Sequence, residues 1–260
     1  MVIGIMQPYF FPYLPYFQLM KKTDRYVIYD DVQFIKSGWI LRNRILINGK
    51  PSYIRVPAMG ASSSRKINEV RTNLGARYQR KQRMKLSCAY SHAPYFGEVY
   101  PEITAMLEKE EENLADYLEG ILISMASLLD IRTEFLRSSG LSIKETSPDG
   151  EVLKSRGAAT GSPDQRSGAD QEGMKGEERV LAVCKALGAD QYVNASGGRV
   201  LYDKEHFAVK GVELSFLESE PLIYSQGKTP FQADLSIIDV LMWNGIDRTR
   251  KLLDRCSLTA

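Results

Sequence analysis

VIGIMQPYFFPYLPYFQLM, residues 2–20, decides how the chain begins. Val2 to Met6 is a branched apolar run of the length of one buried strand. It stops at Gln7-Pro8, because proline cannot donate to a sheet ladder. Tyr9, Phe10, Phe11, Tyr13, Tyr16 and Phe17 follow, interleaved with prolines at 8, 12 and 15 that stiffen the backbone and oppose a helix. A helix is expected from about Pro15, a residue suited to a first turn, through Lys22. The order is strand, rigid aromatic loop, helix. In open α/β sheets the loop after a strand's carboxyl end is where ligands sit, which makes Gln7, Tyr9 and Tyr13 candidate contacts.

Arg25 to Asp31, RYVIYDD, reads as a second strand ending in two acids. Two strands joined through a helix pair in parallel with a right-handed crossover. Asp30 and Asp31 then fall beside the Gln7 loop, one facing the crevice and one away, since strand side chains alternate. Asp31 is the candidate catalytic base. The pair could hold Mg²⁺, but two adjacent acids are a weak signal and no metal ligand set is assigned.

Ile40 to Ile47 and Tyr53 to Pro57 flank Asn48-Gly49, a two-residue hairpin signal. Lys36, Trp39, Arg42, Asn43 and Arg44 lie on or just before that hairpin, close to the Gln7 loop. Trp39 can stack on a sugar or base, and Arg42 can take a phosphate in bidentate fashion. Ile67 to Leu74 reads as a short strand. Arg77 to Ser87 is strongly basic and reads as the solvated face of a helix. His92 stands in a second aromatic and proline loop and is a candidate general base. Pro101 to Leu129 is the longest helical pattern, with the acidic block Glu108 to Glu112 on its wet face and Gly120 a candidate break. Ile131 to Leu136 is a strand, closed by Ser138-Ser139-Gly140.

Residues 142–176 are Gly, Ser, Asp, Lys and Glu rich and read as a flexible polar insertion. They separate an N-terminal lobe, 1–141, from a smaller C-terminal α/β lobe, 177–260, which can pack into one domain with the first. The fold class expected is α/β: a Rossmann-like parallel sheet core with an added β-hairpin and helices. The second lobe offers a helix from Glu177 to Leu187 and a strand from Gln191 to Asn194. Then comes the turn Ser196-Gly197-Gly198-Arg199, where backbone amides can approach a ligand. Tyr202 and Asp203 are candidate contacts for a sugar hydroxyl, and Val212 to Leu217 reads as a half-exposed strand. Asp234 or Ser236 caps a helix ending at Asn244-Gly245.

Composition narrows the function classes. A net charge of +2 argues against bulk nucleic-acid binding, although a local basic patch remains compatible with it. The longest apolar stretch, near Ile121 to Leu129, is too short and interrupted to span a bilayer. Cys88, Cys184 and Cys256 show no metal or disulfide framework, and no secretory leader is read, so a cytoplasmic protein is expected.

MQPYFFPYLPYFQL, YVIYDDVQFIKSGWILRNRI, SGGRVLYD and LSIIDVLMWNG together resemble the WbqC-like family of bacterial proteins. The resemblance covers most of the chain. It implies a place in clusters for surface polysaccharide such as O-antigen, and it raises the Ser196 to Arg199 turn as a binding element. The function expected is a group transferase acting on a nucleotide-activated amino sugar. Gln7 and Tyr9 would hold sugar or acceptor. Asp31 would deprotonate the attacking amine or hydroxyl, and Lys36, Arg42 and the glycine turn would hold the diphosphate. The alternative is a non-catalytic carbohydrate- or partner-binding protein of the same pathway. Cofactor, donor, acceptor and oligomeric state are not specified by the residues.

Overall fold

The computed structural model describes residues 1–143, 176–228 and 230–259. The flexible insertion expected over 142–176 lies almost wholly outside the described residues. Strand β1 is Val2–Met6, helix α1 Leu14–Lys21 and β2 Arg25–Ile28. The hairpin β3 Arg42–Ile47 and β4 Lys50–Arg55 follows, then the short pair β5 Ala58–Met59 and β6 Arg71–Thr72. Helices α2 Ala76–Tyr90, α3 Phe96–Leu107 and α4 Leu114–Leu128 precede β7 Glu134–Arg137. The last part runs α5 Gly176–Leu187, β8 Gln191–Ala195, α6 Lys204–Val209, β9 Glu213–Ser219, α7 Ile237–Leu252 and β10 Cys256–Thr259.

The main sheet has six strands in the order β10-β9-β8-β1-β2-β7. β7, β2, β1, β8 and β9 are mutually parallel and β10 is antiparallel at the edge. This is the doubly wound, Rossmann-like arrangement. The chain winds outward from β1 through β2 to β7, then returns to the other side of β1 with β8 and β9. The strands on either side of the 142–176 stretch therefore share one sheet, joined by the β1–β8 ladder.

Strand alternation distributes the side chains over two cores. Ile3, Ile5, Val27, Tyr192, Leu214 and Phe216 face α5 and α6, meeting Val180, Val183, Cys184 and Phe207. Tyr26, Ile28, Val193 and Leu217 face the larger core built with α1, α3, α4 and α7. Phe10, Phe11 and Phe17 are fully buried in that second core. Each fully buried side chain of this size contributes about 1.5–3 kcal/mol.

Three expected elements differ. Pro101 to Leu129 is not one helix but α3 and α4, because nothing apolar between Leu107 and Leu114 asks to be buried. The side chain of Asn113 accepts from the Ala115 N–H at 2.8 Å and starts α4 anew. Ile67 to Leu74 gives a 3₁₀ turn, Ile67–Glu69, and only the two-residue β6. β9 is buried from Leu214 to Leu217 rather than alternating, because it lies inside the sheet with helices on both faces. The hairpin follows its turn signal: Ile47 pairs with Lys50, and Asn48 and Gly49 both take positive φ, 51° and 71°. α7 carries a break at Gly245, φ 77°, where a Cβ would lie 2.6 Å from the Tyr95 ring.

Candidate active site

The winding reverses between β1 and β8, and a cleft of about 610 Å³ opens above the carboxyl ends of these strands. Met6 ends β1 and Gln7 follows it, Tyr29 follows β2, and Asn194 and Ala195 end β8; all line it. The aromatic loop contributes Tyr9 and Tyr13, and the turn after β8 contributes Gly197 and Gly198. Trp39, Asn43 and Arg44 close one wall, with Asp234 and Leu201 at the rim.

The loop after β1 is held rigid by its backbone. The Tyr16 hydroxyl donates to the Gln7 carbonyl at 2.8 Å. Phe11 sits at φ 41°, and its carbonyl accepts from Asn43 Nδ2 at 2.8 Å and Ser236 Oγ at 2.7 Å. Ile237 N–H donates to the Pro12 carbonyl at 2.8 Å. The loop is thus tied to β3 and to the start of α7, while the Gln7 side-chain amide makes no hydrogen bond among the described residues and can serve a ligand. Burial pushes the Tyr9 and Tyr13 hydroxyls up from their ordinary titration range, with the Asp234 carboxylate adding to the effect on Tyr13. Both remain neutral O–H donors at physiological pH.

Arg44 is the cation of the cleft. Its Nη2 donates to the Asp234 carbonyl at 3.0 Å, its guanidinium lies 5.5 Å from the Trp39 ring, and its buried Nε has no partner. Asp234 holds φ 55°, an uncommon backbone state for a non-glycine residue. Its exposed carboxylate has no hydrogen-bond or ion-pair partner among the described residues. Of the two glycines in the turn, only Gly198 is sterically required. A Cβ there would fall 2.3 Å from Asn194 Nδ2, whereas one on Gly197 meets open space. Gly198→Ala therefore displaces Asn194 or the turn and is expected to weaken ligand binding at least tenfold. Gly197→Ala is expected to leave it within twofold, and equal titration curves for the two variants would refute the assignment.

The model of the WbqC-like protein family matches residues 7–251. The chain belongs to the WbqC-like protein family. It is 24% identical over 242 residues to the Uncharacterized protein Rv1507c of Mycobacterium tuberculosis, with 92% of each chain covered. No solved structure matches.

Within this WbqC-like chain the cleft gathers Gln7, Tyr9, Tyr13, Trp39, Asn43, Gly197, Gly198 and Tyr202 of the residues expected from sequence. Asn43 lines it, but its amide is spent on the Phe11 carbonyl and on the Arg44 N–H, so it shapes the loop rather than presenting a free group. Other expected residues lie elsewhere. The Asp31 carboxylate pairs with Arg179 and accepts from Ser138 Oγ, both carboxylate and guanidinium being largely buried. It does not line the cleft, because Arg179 and Ser138 hold it; of the residues just after β2, Tyr29 lines the cleft. Asp30 is fully buried and accepts from the Ser139 N–H at 3.0 Å and Ser139 Oγ at 2.7 Å, clamping the end of β2 to the turn after β7.

His92 is exposed, with its ring 5.6 Å from Trp243 and away from the cleft. Lys36 is exposed on the loop before β3 and does not reach the lining. Arg42 donates to the Ser37 carbonyl and stacks 4.6 Å over Tyr53, so Arg44, two residues on, takes the place expected of it. Arg199 pairs with Glu218 at 2.7 Å, and Asp203 caps α6 through the Glu205 N–H at 2.9 Å. Ser196 begins the turn without facing the cleft.

Sequence reasoning missed Asp234, Tyr29 and Asn194, and it placed Arg44 among the hairpin cations near the site but gave the phosphate to Arg42. Asp234 had a legible signal: Ser236 two residues later is the better cap, and its hydroxyl takes that role at the Ile238 N–H. No helix among the described residues is long and apolar enough to cross a membrane.

Proposed function

We propose that this WbqC-like chain is a group transferase acting on a nucleotide-activated sugar, an amino sugar, in the synthesis of surface polysaccharide. The observation that carries the proposal is the placement of an unpaired carboxylate, Asp234, in one switch-point cleft with a partly unsatisfied guanidinium, Arg44. The division of labour follows from the chemistry of the groups. Arg44 and the turn at Gly197 and Gly198 suit the diphosphate: a planar fork of donors on one side, close backbone approach on the other. Trp39 and Tyr9 offer ring faces for base and sugar. Gln7 and the neutral hydroxyls of Tyr9 and Tyr13 read the sugar's oxygens. Asp234 accepts the proton as the sugar's amine or hydroxyl bonds to the group being transferred, while that group's bond to its activated donor breaks and the donor departs as the leaving group. Asp31, committed to Arg179, is not given that role.

Binding tests the proposal. A nucleotide sugar at a hundred times its dissociation constant raises unfolding free energy by about 2.7 kcal/mol, visible as a higher melting temperature. Arg44→Ala is expected to reduce that shift to near zero with UDP- and dTDP-linked amino sugars alike. A panel of nucleotide sugars that shifts neither protein defeats the substrate class. A shift that survives Arg44→Ala defeats the site.

A further inference from the structure

The hairpin that closes the cleft has a second wet side. Arg44 on β3 pairs with Tyr53 on β4, and beyond β4 lies a groove of about 930 Å³ between the hairpin and α2. Arg55, Arg77, Lys81 and Lys85 all line it. Arg77, Lys81 and Lys85 recur every fourth residue, so they form one stripe along α2. At 1.5 Å of rise per residue the stripe runs about 12 Å. Arg55 faces it from β4. The basic run read from sequence as a solvated face is therefore half a groove.

One neighbouring cation on the same helix, Arg83, is neutralised by Glu108 at 2.6 Å. None of the four groove cations pairs with a carboxylate among the described residues. The helix end adds to the field. Gly75 caps α2 without a side chain, and the first turn has no acid, so the positive end of the helix dipole is unopposed there. Lys85 is pushed below its ordinary titration range by burial, Lys81 and Arg55, and its ammonium donates to the Tyr53 carbonyl at the groove wall. A separate observation points to a ligand with hydroxyls. Gln82 lines the groove and is only 6% exposed. Its Nε2 donates to the Arg55 carbonyl at 3.2 Å, but its buried Oε1 has no partner.

We infer that this groove is a second binding site, taking a hydroxyl-bearing molecule with two phosphate groups, of the sugar bisphosphate class. One phosphate lies at the α2 N-terminus with Arg77, the other lies along the stripe near Lys81 and Lys85, and a hydroxyl of the scaffold donates to Gln82 Oε1 once the amide turns from its buried position toward the groove. The site is distinct from the switch-point cleft, and it stands whether or not the transferase reading holds.

Fructose 1,6-bisphosphate, fructose 6-phosphate and tripolyphosphate are suitable probes, titrated calorimetrically into the full chain in low salt. The bisphosphate is expected to bind at least tenfold tighter than the monophosphate. Arg77 and Lys81 are exposed, so the double variant Arg77→Ala/Lys81→Ala folds, and it is expected to lose at least tenfold in bisphosphate affinity. Gln82→Met is expected to lose affinity for the bisphosphate but not for tripolyphosphate, which has no hydroxyl scaffold. Equal affinity for mono- and bisphosphate, or bisphosphate affinity unchanged in the double variant, overturns the inference. Loss of bisphosphate binding in Arg44→Ala with the double variant unaffected assigns the ligand to the cleft and also overturns it.

Discussion

Asp234→Asn is expected to lower the rate of group transfer by 10²–10⁴-fold while leaving nucleotide-sugar affinity within about threefold. The substitution is nearly isosteric and keeps the backbone carbonyl that Arg44 uses, so the fold and the position of Arg44 are preserved. What it removes is the one carboxylate among the described residues that line the cleft. The same change at Asp31 acts differently: Asp31→Asn breaks the ion pair with largely buried Arg179 and is expected to appear as lost stability, with turnover per folded molecule retained. Rate assays on the two variants, normalised to folded protein, separate the assignments. Full activity in Asp234→Asn with none in Asp31→Asn would return the base to Asp31.

The second large effect concerns the segment that carries Asp234. Asp239 on α7 is fully buried and accepts three hydrogen bonds: from Tyr90 at 2.8 Å, Tyr224 at 2.7 Å and Gln226 Nε2 at 3.0 Å. Gln226 also donates to the Gln232 carbonyl at 2.9 Å, so this carboxylate fastens the segment leading to Asp234. Asp239→Ala leaves two buried hydroxyls and an amide without their acceptor. At about 1–3 kcal/mol for each unsatisfied group, the loss is expected to be at least 3 kcal/mol. For a chain of this length that is a fall in melting temperature of roughly 6–12 °C.

Burial raises the Asp239 carboxyl above its ordinary value, and the three hydrogen bonds only partly offset this. A group raised in the folded state contributes stability that is complete below its unfolded pKa, about 3.9, and is lost as pH climbs through the folded value. Asp239→Asn, which cannot ionise, is expected to remove that decline while staying within about 1 kcal/mol of the parent at low pH. Chemical denaturation across pH 4–8 measures both variants. An Asp239→Ala protein as stable as the parent would show that the network holds nothing.

The hairpin shows why some residues were legible and others were not. Asn48-Gly49 dictates its own geometry, since both residues must take positive φ and few other pairs do so cheaply. Which arginine of Arg42 and Arg44 meets the cleft is a different matter. The two share a strand face, and the choice falls to the Ser37 carbonyl and the Tyr53 ring, which engage Arg42 from elsewhere in the chain. The two acids after β2 behave likewise. Their position at the strand's end follows from the apolar run, but Asp30 turns to Ser139 and Asp31 to Arg179, 109 and 148 residues distant.

Local sequence determined the strand, aromatic loop and helix of the opening, the parallel β1–β2 pair and the tight hairpin, because each depends on interactions between near neighbours. It also set the glycine turn after β8, where Gly198 leaves room for Asn194. Only the tertiary structure decided that β8 docks against β1, so that the two strand ends form a single cleft. It alone placed Asp234 there, chose Arg44 over Arg42 and gave Asp31 a partner. Burial and long-range pairing decide which charges are neutralised, and neither is written in the spacing of residues along the chain.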